Sequence, residues 1–187
     1  MFFHEFLRTP KVTGAVAPSS AALARRMVER VDFQAAKVVV EYGAGTGVFT
    51  HEVVSRLRPD ATFLVFELNR ELAGVVQRRF PRARVYQDSA ARVAHYLALN
   101  GRDHVDVVIS GLPWAAFPGH LQDQILEPTV RLLRPGGRFS TFAYLQGLAL
   151  PGGVRLCRSL KRCFSRVEIS PVTWQNVPPA IVYWCTK

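Results

Sequence analysis

The chain has 187 residues, of which 49% are hydrophobic and 20% charged, and this balance excludes a disordered protein. That length is enough for one domain with a substantial core and leaves no room for a second. The formal net charge of +10 favours a polyanionic partner, either a nucleic acid or an anionic membrane surface.

The sequence also bounds the location and the chemistry. It contains no run of about 18 apolar residues that could span a bilayer, and its first residues lack the basic start and apolar centre of a secretory signal. We therefore expect a cytoplasmic protein. The three cysteines stand in no spacing that is typical of metal ligands, so we expect packing thiols and no metal site.

The first segment, Met1–Thr9, is amphipathic as a helix. Its apolar residues gather on one side: Phe2, Phe3, Phe6 and Leu7. The cations Arg8 and Lys11 follow. Two interpretations stand: an interfacial helix that places aromatic side chains among lipid headgroups, or a short lid on the protein's own core. Some such surface is needed, because so short a helix is unstable alone in water.

A second predicted helix follows, with Ser19 or Ser20 as its N-cap. Apolar residues step by four along one of its faces: Leu23, Met27 and Val31. Arginines occupy the opposite face: Arg25, Arg26 and Arg30. The pattern predicts a packing helix with a basic outer side.

The central motif is residues 38–47, VVVEYGAGTG. The unbroken run of valines predicts a strand buried on both faces, as in parallel sheets. It ends in a loop whose glycines allow a tight turn and the close approach of a ligand: Gly43, Gly45 and Gly47. The dinucleotide-binding fingerprint is excluded, because it requires a glycine where this chain has Val48. The pattern present is Glu41 two residues before G-x-G-x-G.

Two later strands carry acidic residues at their ends. Residues 62–67, TFLVFE, end in Glu67, and residues 84–90, RVYQDSA, carry Asp88. A carboxylate at the tip of the second strand can accept hydrogen bonds from both hydroxyls of a ribose. The sequence therefore predicts a nucleoside site beyond the carboxyl ends of the strands.

Three segments together resemble the bacterial phospholipid N-methyltransferase family: PKVTGAVAPSS at 10–20, EYGAGTGVFT at 41–50 and NVPPAIVYW at 176–184. These are class I methyltransferases that use S-adenosylmethionine (SAM), related at the glycine motif to rRNA adenine dimethyltransferases. The resemblance implies an α/β fold, a Rossmann-like, doubly wound, seven-stranded sheet whose last strand is antiparallel, preceded by N-terminal helices. Residues 1–34 would form membrane-interacting and packing helices and residues 35–187 the methyltransferase domain, within one compact unit.

The resemblance implies SAM as the cofactor. The glycine loop would pack against its methionine part, Glu67 would bind the ribose, and Asp88 with Ser89 would contact the adenine. The candidate cofactor-binding residues are Pro18, Ser19, Ser20, Glu41, Tyr42, Gly43, Ala44, Gly45, Gly47, Glu67, Leu68, Asp88, Ser89, Ser110, Gly111, Leu112 and Pro113.

The loop after the fourth strand bears on the substrate. Related enzymes that methylate adenine carry N-L-P-Y or N-P-P-Y there, whereas this chain has Gly111 in the Asn position and Trp114 in the aromatic one. The missing amide removes a contact that orients a base, and the small residue leaves room for a bulkier amine. Trp114 either faces a cationic amine or packs in the core. Nucleic acid is therefore disfavoured as the substrate. The rRNA dimethyltransferases also carry an added helical domain after the last strand, and its absence from this sequence favours the same expectation.

The resemblance implies an enzyme at the inner face of the membrane that methylates phosphatidylethanolamine or a similar aminolipid, in successive steps toward phosphatidylcholine. Tyr144 and His4 are candidates for holding the unprotonated amine. We expect a monomer that contacts an anionic membrane surface, with a basic helix from Val154 either solvated or touching lipid phosphates. The alternatives are an RNA adenine or small-molecule amine methyltransferase, or a non-catalytic cofactor-binding protein.

Overall fold

A computed structural model describes residues 19–187 of the chain. The predicted amphipathic segment Met1–Thr9 lies outside the described residues, and so do the candidate site residues His4 and Pro18. Within residues 19–187, no helix is both long enough and apolar enough to cross a membrane.

Within the described residues, seven strands form one sheet in the order β3-β2-β1-β4-β5-β7-β6. Their bounds are β1 Val38–Tyr42, β2 Thr62–Phe66, β3 Arg84–Tyr86, β4 Val105–Ser110, β5 Leu133–Tyr144, β6 Arg166–Ile169 and β7 Ala180–Thr186. Neighbouring strands among β1 to β5 pair in parallel, whereas β7 is antiparallel to both β5 and β6. The predicted doubly wound sheet with an antiparallel last strand is confirmed.

Helices connect the strands on both faces of the sheet. They are α1 Ala21–Val28, α2 Val48–Val54, α3 Arg70–Arg79, α4 Val93–Leu99, α5 Gly119–Leu132 and α6 Pro151–Cys163. Ser20 rather than Ser19 caps α1, since its Oγ accepts the Leu23 N–H at 3.1 Å. The basic helix predicted from Val154 begins three residues earlier, because Pro151 fits the first turn of a helix.

Two apolar clusters cover the two faces of the sheet, and β1 contributes to both. Val38, Val40 and Tyr42 belong to one cluster, while Val39 belongs to the other, which contains α1 and α2. Because side chains alternate along a strand, Glu41 lies on the same face as Val39. This alternation places an acidic side chain under the helix that follows the glycine loop.

The amino edge of the sheet, where the parallel strands begin, is held by a residue that the sequence analysis did not identify. Asp106 Oδ2 accepts the N–H groups of Lys37 and Val38, each at 2.8 Å, and Asp106 pairs with Arg134. Burial raises the pKa of Asp106, but these hydrogen bonds and the guanidinium bring it below its usual value. The carboxylate thus joins β1, β4 and β5 at their starts.

Candidate functional site

The loop between β1 and α2 has the backbone that the glycine motif predicts. Gly43, Gly45 and Gly47 have φ angles of 69°, 54° and 82°, in the left-handed region that favours glycine. A Cβ on Gly47 would lie 2.7 Å from the Phe80 ring, so that glycine permits packing within the protein. A Cβ on Gly45 would meet nothing within 4 Å. Gly45 therefore borders open space that a ligand can occupy.

Glu67, just past the end of β2, fixes this loop. Its Oε2 accepts the Gly45 N–H at 2.8 Å, and its Oε1 accepts the Asn69 N–H at 2.9 Å. Each carboxylate oxygen has a further lone pair, so ribose hydroxyls can still donate to it. The sequence indicated a ligand contact for Glu67 but not this bond to the glycine loop, which joins residues 22 positions apart.

Glu41 is fully buried, and neither of its carboxylate oxygens has a hydrogen-bond partner among residues 19–187. Burial, and to a smaller extent the charge of Glu67, raise its pKa to about 8, a value that already includes a partial lowering by the neighbouring Thr50. A buried acid without a partner is costly to the fold. Its environment fits a cationic ligand group, which would stabilise the ionised carboxylate.

The cofactor-binding role predicted for the side chains of Tyr42 and Ser110 does not agree with their orientation in the structure. The Tyr42 side chain lies on the opposite face from Glu41, where its hydroxyl is 3.0 Å from Thr129 Oγ1. Ser110 is fully buried, and its Oγ accepts the indole N–H of Trp114 at 3.0 Å. Both side chains belong to the core and are turned away from the predicted cofactor site.

Gly111 is glycine for a different reason than the one predicted. Its N–H donates to the Tyr42 carbonyl at 2.7 Å, which brings the loop after β4 against the glycine loop. A Cβ on Gly111 would lie 2.5 Å from the Gly43 carbonyl oxygen and 3.2 Å from the Phe49 ring. Close approach of two backbone segments, not room for a substrate, explains this residue. Leu112 packs against the same turn, since a Cβ on Gly43 would lie 3.0 Å from it.

Trp114 lies in the core beyond Leu112 and Pro113. The ring is 1% exposed and meets the Phe139 ring edge-to-face, with centroids 6.2 Å apart. A cation–π contact with a substrate needs an accessible ring face. The structure therefore supports packing for Trp114 and not the substrate-facing alternative.

Asp88 stands after β3, beside the strand that leads to Glu67. Its carboxylate accepts the Ser89 N–H at 2.7 Å and the Tyr96 hydroxyl at 2.8 Å, and it pairs with Arg92 at 3.0 Å. Burial raises the pKa of Asp88, but these contacts bring it below the usual value. The Ser89 hydroxyl accepts the Ala91 N–H at 3.2 Å and so caps the next turn. An ionised carboxylate thus lies at the edge where an adenine amino group is expected.

Ser20 and Asn176 belong to two of the sequence segments that carry the family resemblance, and they meet in the structure. The Ser20 N–H donates to Asn176 Oδ1 at 2.8 Å across 156 positions of the chain, and Asn176 Nδ2 donates to the Pro178 carbonyl at 2.7 Å. This bond holds the start of α1 at the carboxyl edge of the sheet. Tyr144, the last residue of β5, lies at the same edge, paired with Ala180.

Comparison with known proteins identifies the family. The family described as "Methyltransferase domain" matches residues 39–137. The ornithine lipid N-methyltransferase of Singulisphaera acidiphila is 30% identical over 190 residues, an alignment that covers 99% of this chain and 94% of that protein. The chain belongs to the class I SAM-dependent methyltransferases, in the lipid N-methyltransferase family. The resemblance seen in the sequence is confirmed.

More distant relatives of this methyltransferase include RNA enzymes. Ribosomal RNA small subunit methyltransferase A of Thermotoga neapolitana is 27% identical over 121 residues, covering 65% of this chain and 44% of that enzyme. Among solved structures, the O-methyltransferase TomG of Streptomyces achromogenes, in complex with SAM, aligns with a TM-score of 0.66 at 18% identity. That alignment covers 98% of this chain and 86% of the other, and it shows the shared fold.

The methyltransferase fold gathers most of the predicted cofactor residues at the carboxyl edge. The glycine loop, with Ala44 inside it, contacts both Glu67 and Gly111. Leu68 follows Glu67 and is half-buried, as is Ser19 before the cap of α1. The side chains of the predicted cofactor residues Tyr42 and Ser110 lie in the core instead, and so does that of the catalytic candidate Trp114.

Proposed function

We propose that this methyltransferase transfers the methyl group of SAM to the amine of phosphatidylethanolamine or a similar aminolipid at an anionic membrane surface, in successive transfers. The observation that carries the proposal is the full-length likeness to a protein named as an ornithine lipid N-methyltransferase. Ornithine and ethanolamine headgroups both offer a primary amine on a lipid, so the shared chemistry is methylation of an aminolipid.

The residues of the carboxyl edge fit SAM. SAM supplies a methyl group activated on a sulfonium, so the protein's task is mainly to position the reactants. Glu41 would face a cationic group of the cofactor, since it is buried with no partner among the described residues. Glu67 and Asp88 would accept hydrogen bonds from the ribose and the adenine. Gly45 leaves space for the approach.

Tyr144 is the described residue proposed to hold the substrate amine. It ends β5 at the carboxyl edge, and its ring lies 5.2 Å from that of Phe142. Burial raises the pKa of Tyr144, so the phenol stays neutral at pH 7. A neutral hydroxyl can accept a hydrogen bond from the amine and orient its lone pair, but it is not a strong base. His4 remains a second candidate for this role.

A direct assay tests the substrate class. The full chain is incubated with methyl-labelled SAM and anionic vesicles that contain phosphatidylethanolamine or ornithine lipid, and in parallel with ribosomal RNA. We expect label in the lipid fraction. Label in RNA alone would replace the proposal with the second candidate, an RNA adenine methyltransferase. The net charge of +10 and the partial alignment with a ribosomal RNA methyltransferase favour that candidate.

Tyr144→Phe tests the amine-holding role within the same assay. The variant keeps the ring and its contact with Phe142 but loses the hydroxyl. We expect kcat to fall by about 10 to 100-fold, because one hydrogen bond that orients the nucleophile is lost. The affinity for SAM should be unchanged. An unaltered kcat would remove Tyr144 from the proposed mechanism while leaving the substrate class standing.

A further inference from the structure

The segment that joins β6 to β7, residues 170–179, carries two exposed apolar side chains. Trp174 is 69% exposed and Val177 74%, the highest values among the large hydrophobic residues between 19 and 187 that are exposed. A tryptophan this exposed is unusual on a protein surface and is typical of an interaction site. We call Trp174 and Val177 the apolar tip.

Hydrogen bonds fix the backbone on both sides of the apolar tip. The Thr173 N–H donates to the Ala180 carbonyl at 2.8 Å, and Asn176, which is 1% exposed, is bonded to Ser20 and to Pro178. The side chains of Trp174 and Val177 therefore project from a held segment. The exposure is built into the fold.

The apolar tip lies at the same edge of the sheet as the proposed active site. Tyr144 pairs with Ala180 at the start of β7, and the Leu145 N–H donates to the Pro179 carbonyl at 3.0 Å. Two further exposed apolar residues of the described range lie at this edge: Leu150, which is 49% exposed, and Ile169, which is 51% exposed. At the opposite edge, Leu99 is the comparably exposed large apolar residue within the described range.

Cations flank the apolar tip. A shallow groove between α1 and the 170–179 segment is lined by Ala22, Arg25, Arg26, Glu29, Thr173 and Gln175. Arg26 pairs with Glu29 at 3.2 Å, whereas Arg25 is exposed and has no acidic partner within residues 19–187. Guanidinium groups beside an exposed tryptophan match the lipid interface, where phosphates lie next to the headgroup depth that tryptophan prefers.

We propose that the apolar tip inserts into the headgroup region of an anionic phospholipid bilayer, with Arg25 and Arg26 on the lipid phosphates. This docking would turn the carboxyl edge, and with it Tyr144, toward the membrane that holds the aminolipid. The choice of a bilayer as partner rests on the proposed function. The proposed contact uses residues other than Met1–Thr9, the segment for which the sequence predicts an interfacial helix as one alternative.

The fluorescence of Trp174 can report on this contact. Its three tryptophans are Trp114, Trp174 and Trp184, of which Trp114 and Trp184 are 1% and 4% exposed. Adding anionic vesicles of phosphatidylglycerol and phosphatidylethanolamine to the full chain should shift the tryptophan emission to shorter wavelength and protect it from aqueous iodide. Vesicles with brominated acyl chains should quench it. Trp174→Phe should abolish all three changes, because only the buried indoles would remain.

A matched pair of variants measures the contribution to binding. Trp174→Ser should weaken vesicle binding about tenfold, the loss expected when one interfacial aromatic ring no longer enters the membrane. Leu99→Ser removes an equally exposed apolar residue from the opposite edge and should leave vesicle binding unchanged. Equal losses in both variants would overturn the proposal, since a general change in hydrophobicity would then explain them.

Two results would contradict membrane docking by this surface. Iodide access to Trp174 that stays the same after vesicles have bound would exclude insertion. Protection that appears at high protein concentration without vesicles would assign the apolar tip to contact between copies of the chain. An assay with aminolipid in detergent micelles distinguishes the docking proposal from the proposed function. In this assay no bilayer has to be bound, so Trp174→Ser should methylate the aminolipid as fast as the wild type. Failure of the wild type there would reject the function, and the fluorescence would still decide the docking.

Discussion

The two edges of the sheet differ in how their buried acids are satisfied. At the amino edge, Asp106 receives hydrogen bonds from two backbone N–H groups and pairs with Arg134. At the carboxyl edge, Glu41 is fully buried and has no hydrogen-bond partner among the described residues. The difference separates two roles: a satisfied acid stabilises the fold, whereas an unsatisfied one is retained at a cost that a ligand can recover.

The largest expected effect on stability comes from removing Asp106, the acid whose hydrogen bonds are satisfied at the amino edge. Asp106→Ala leaves the N–H groups of Lys37 and Val38 without an acceptor, so the free energy of unfolding should fall by about 2 to 4 kcal/mol. Denaturant titration of the purified variant measures this loss. Asp60→Ala is the control, because Asp60 pairs with Arg58 on the exposed surface. We expect its unfolding midpoint to be unchanged, and a comparable loss there would contradict the assigned role of Asp106.

Replacing Glu41 by an uncharged residue should raise the free energy of unfolding, whereas Asp106→Ala lowers it. The pKa of Glu41 is raised from 4.5 to about 8 in the folded protein. Between these two values the folded state holds a proton that the unfolded state has released, so stability falls as pH rises through this range. Glu41→Gln should remove that slope and stabilise the cofactor-free protein by about 1 to 2 kcal/mol at pH 8, since the amide still lacks a partner.

Urea titrations of the wild type and Glu41→Gln at several pH values between 4.5 and 8 check this expectation. The two proteins should have similar stability at the acidic end and diverge as the pH rises. Curves that run parallel across the range would show that Glu41 does not carry a raised pKa. Saturating SAM should reduce the slope of the wild type, because the bound cation stabilises the ionised acid.

The smallest expected effect on stability comes from alanine at Gly45 or Gly101, and SAM affinity should distinguish these two substitutions. Gly45 and Gly101 both have φ angles in the left-handed region, and a Cβ on either would meet nothing within 4 Å. Alanine at each position should cost about 1 kcal/mol of stability through backbone strain. Only Gly45→Ala should weaken SAM binding, because its Cβ enters the proposed site. An equal effect of Gly101→Ala on affinity would contradict this.

Local patterns in the sequence were sufficient for the fold and the glycine loop. Three consecutive valines and alternate glycines specify a buried strand and a left-handed turn within ten residues, and the carboxylate after β2 lies where the strand pattern predicts. The resemblance to the bacterial phospholipid N-methyltransferases supplied the expectation of a seven-stranded sheet with an antiparallel last strand. Each of these features depends on neighbouring residues or on a shared motif.

Features that depend on orientation or distant partners were missed. Tyr42 and Ser110 adjoin the site in sequence, but strand alternation and local hydrogen bonds turn their side chains into the core. The bond between Ser20 and Asn176 joins residues 156 positions apart, and Asp106 reaches β1 across 68. Gly111 is glycine because another loop approaches it, which is a property of the folded chain.

Calorimetric titration of SAM into the wild type and Glu41→Gln, at pH 7 in two buffers of different ionisation heat, tests the central claim most directly. If the unpartnered acid is the counter-charge of the cofactor, the wild type should bind SAM and release a proton, because a carboxyl with a pKa of about 8 becomes ionised on binding. Glu41→Gln should bind more weakly and release none. No binding by the wild type, or equal proton release by both proteins, would contradict the account.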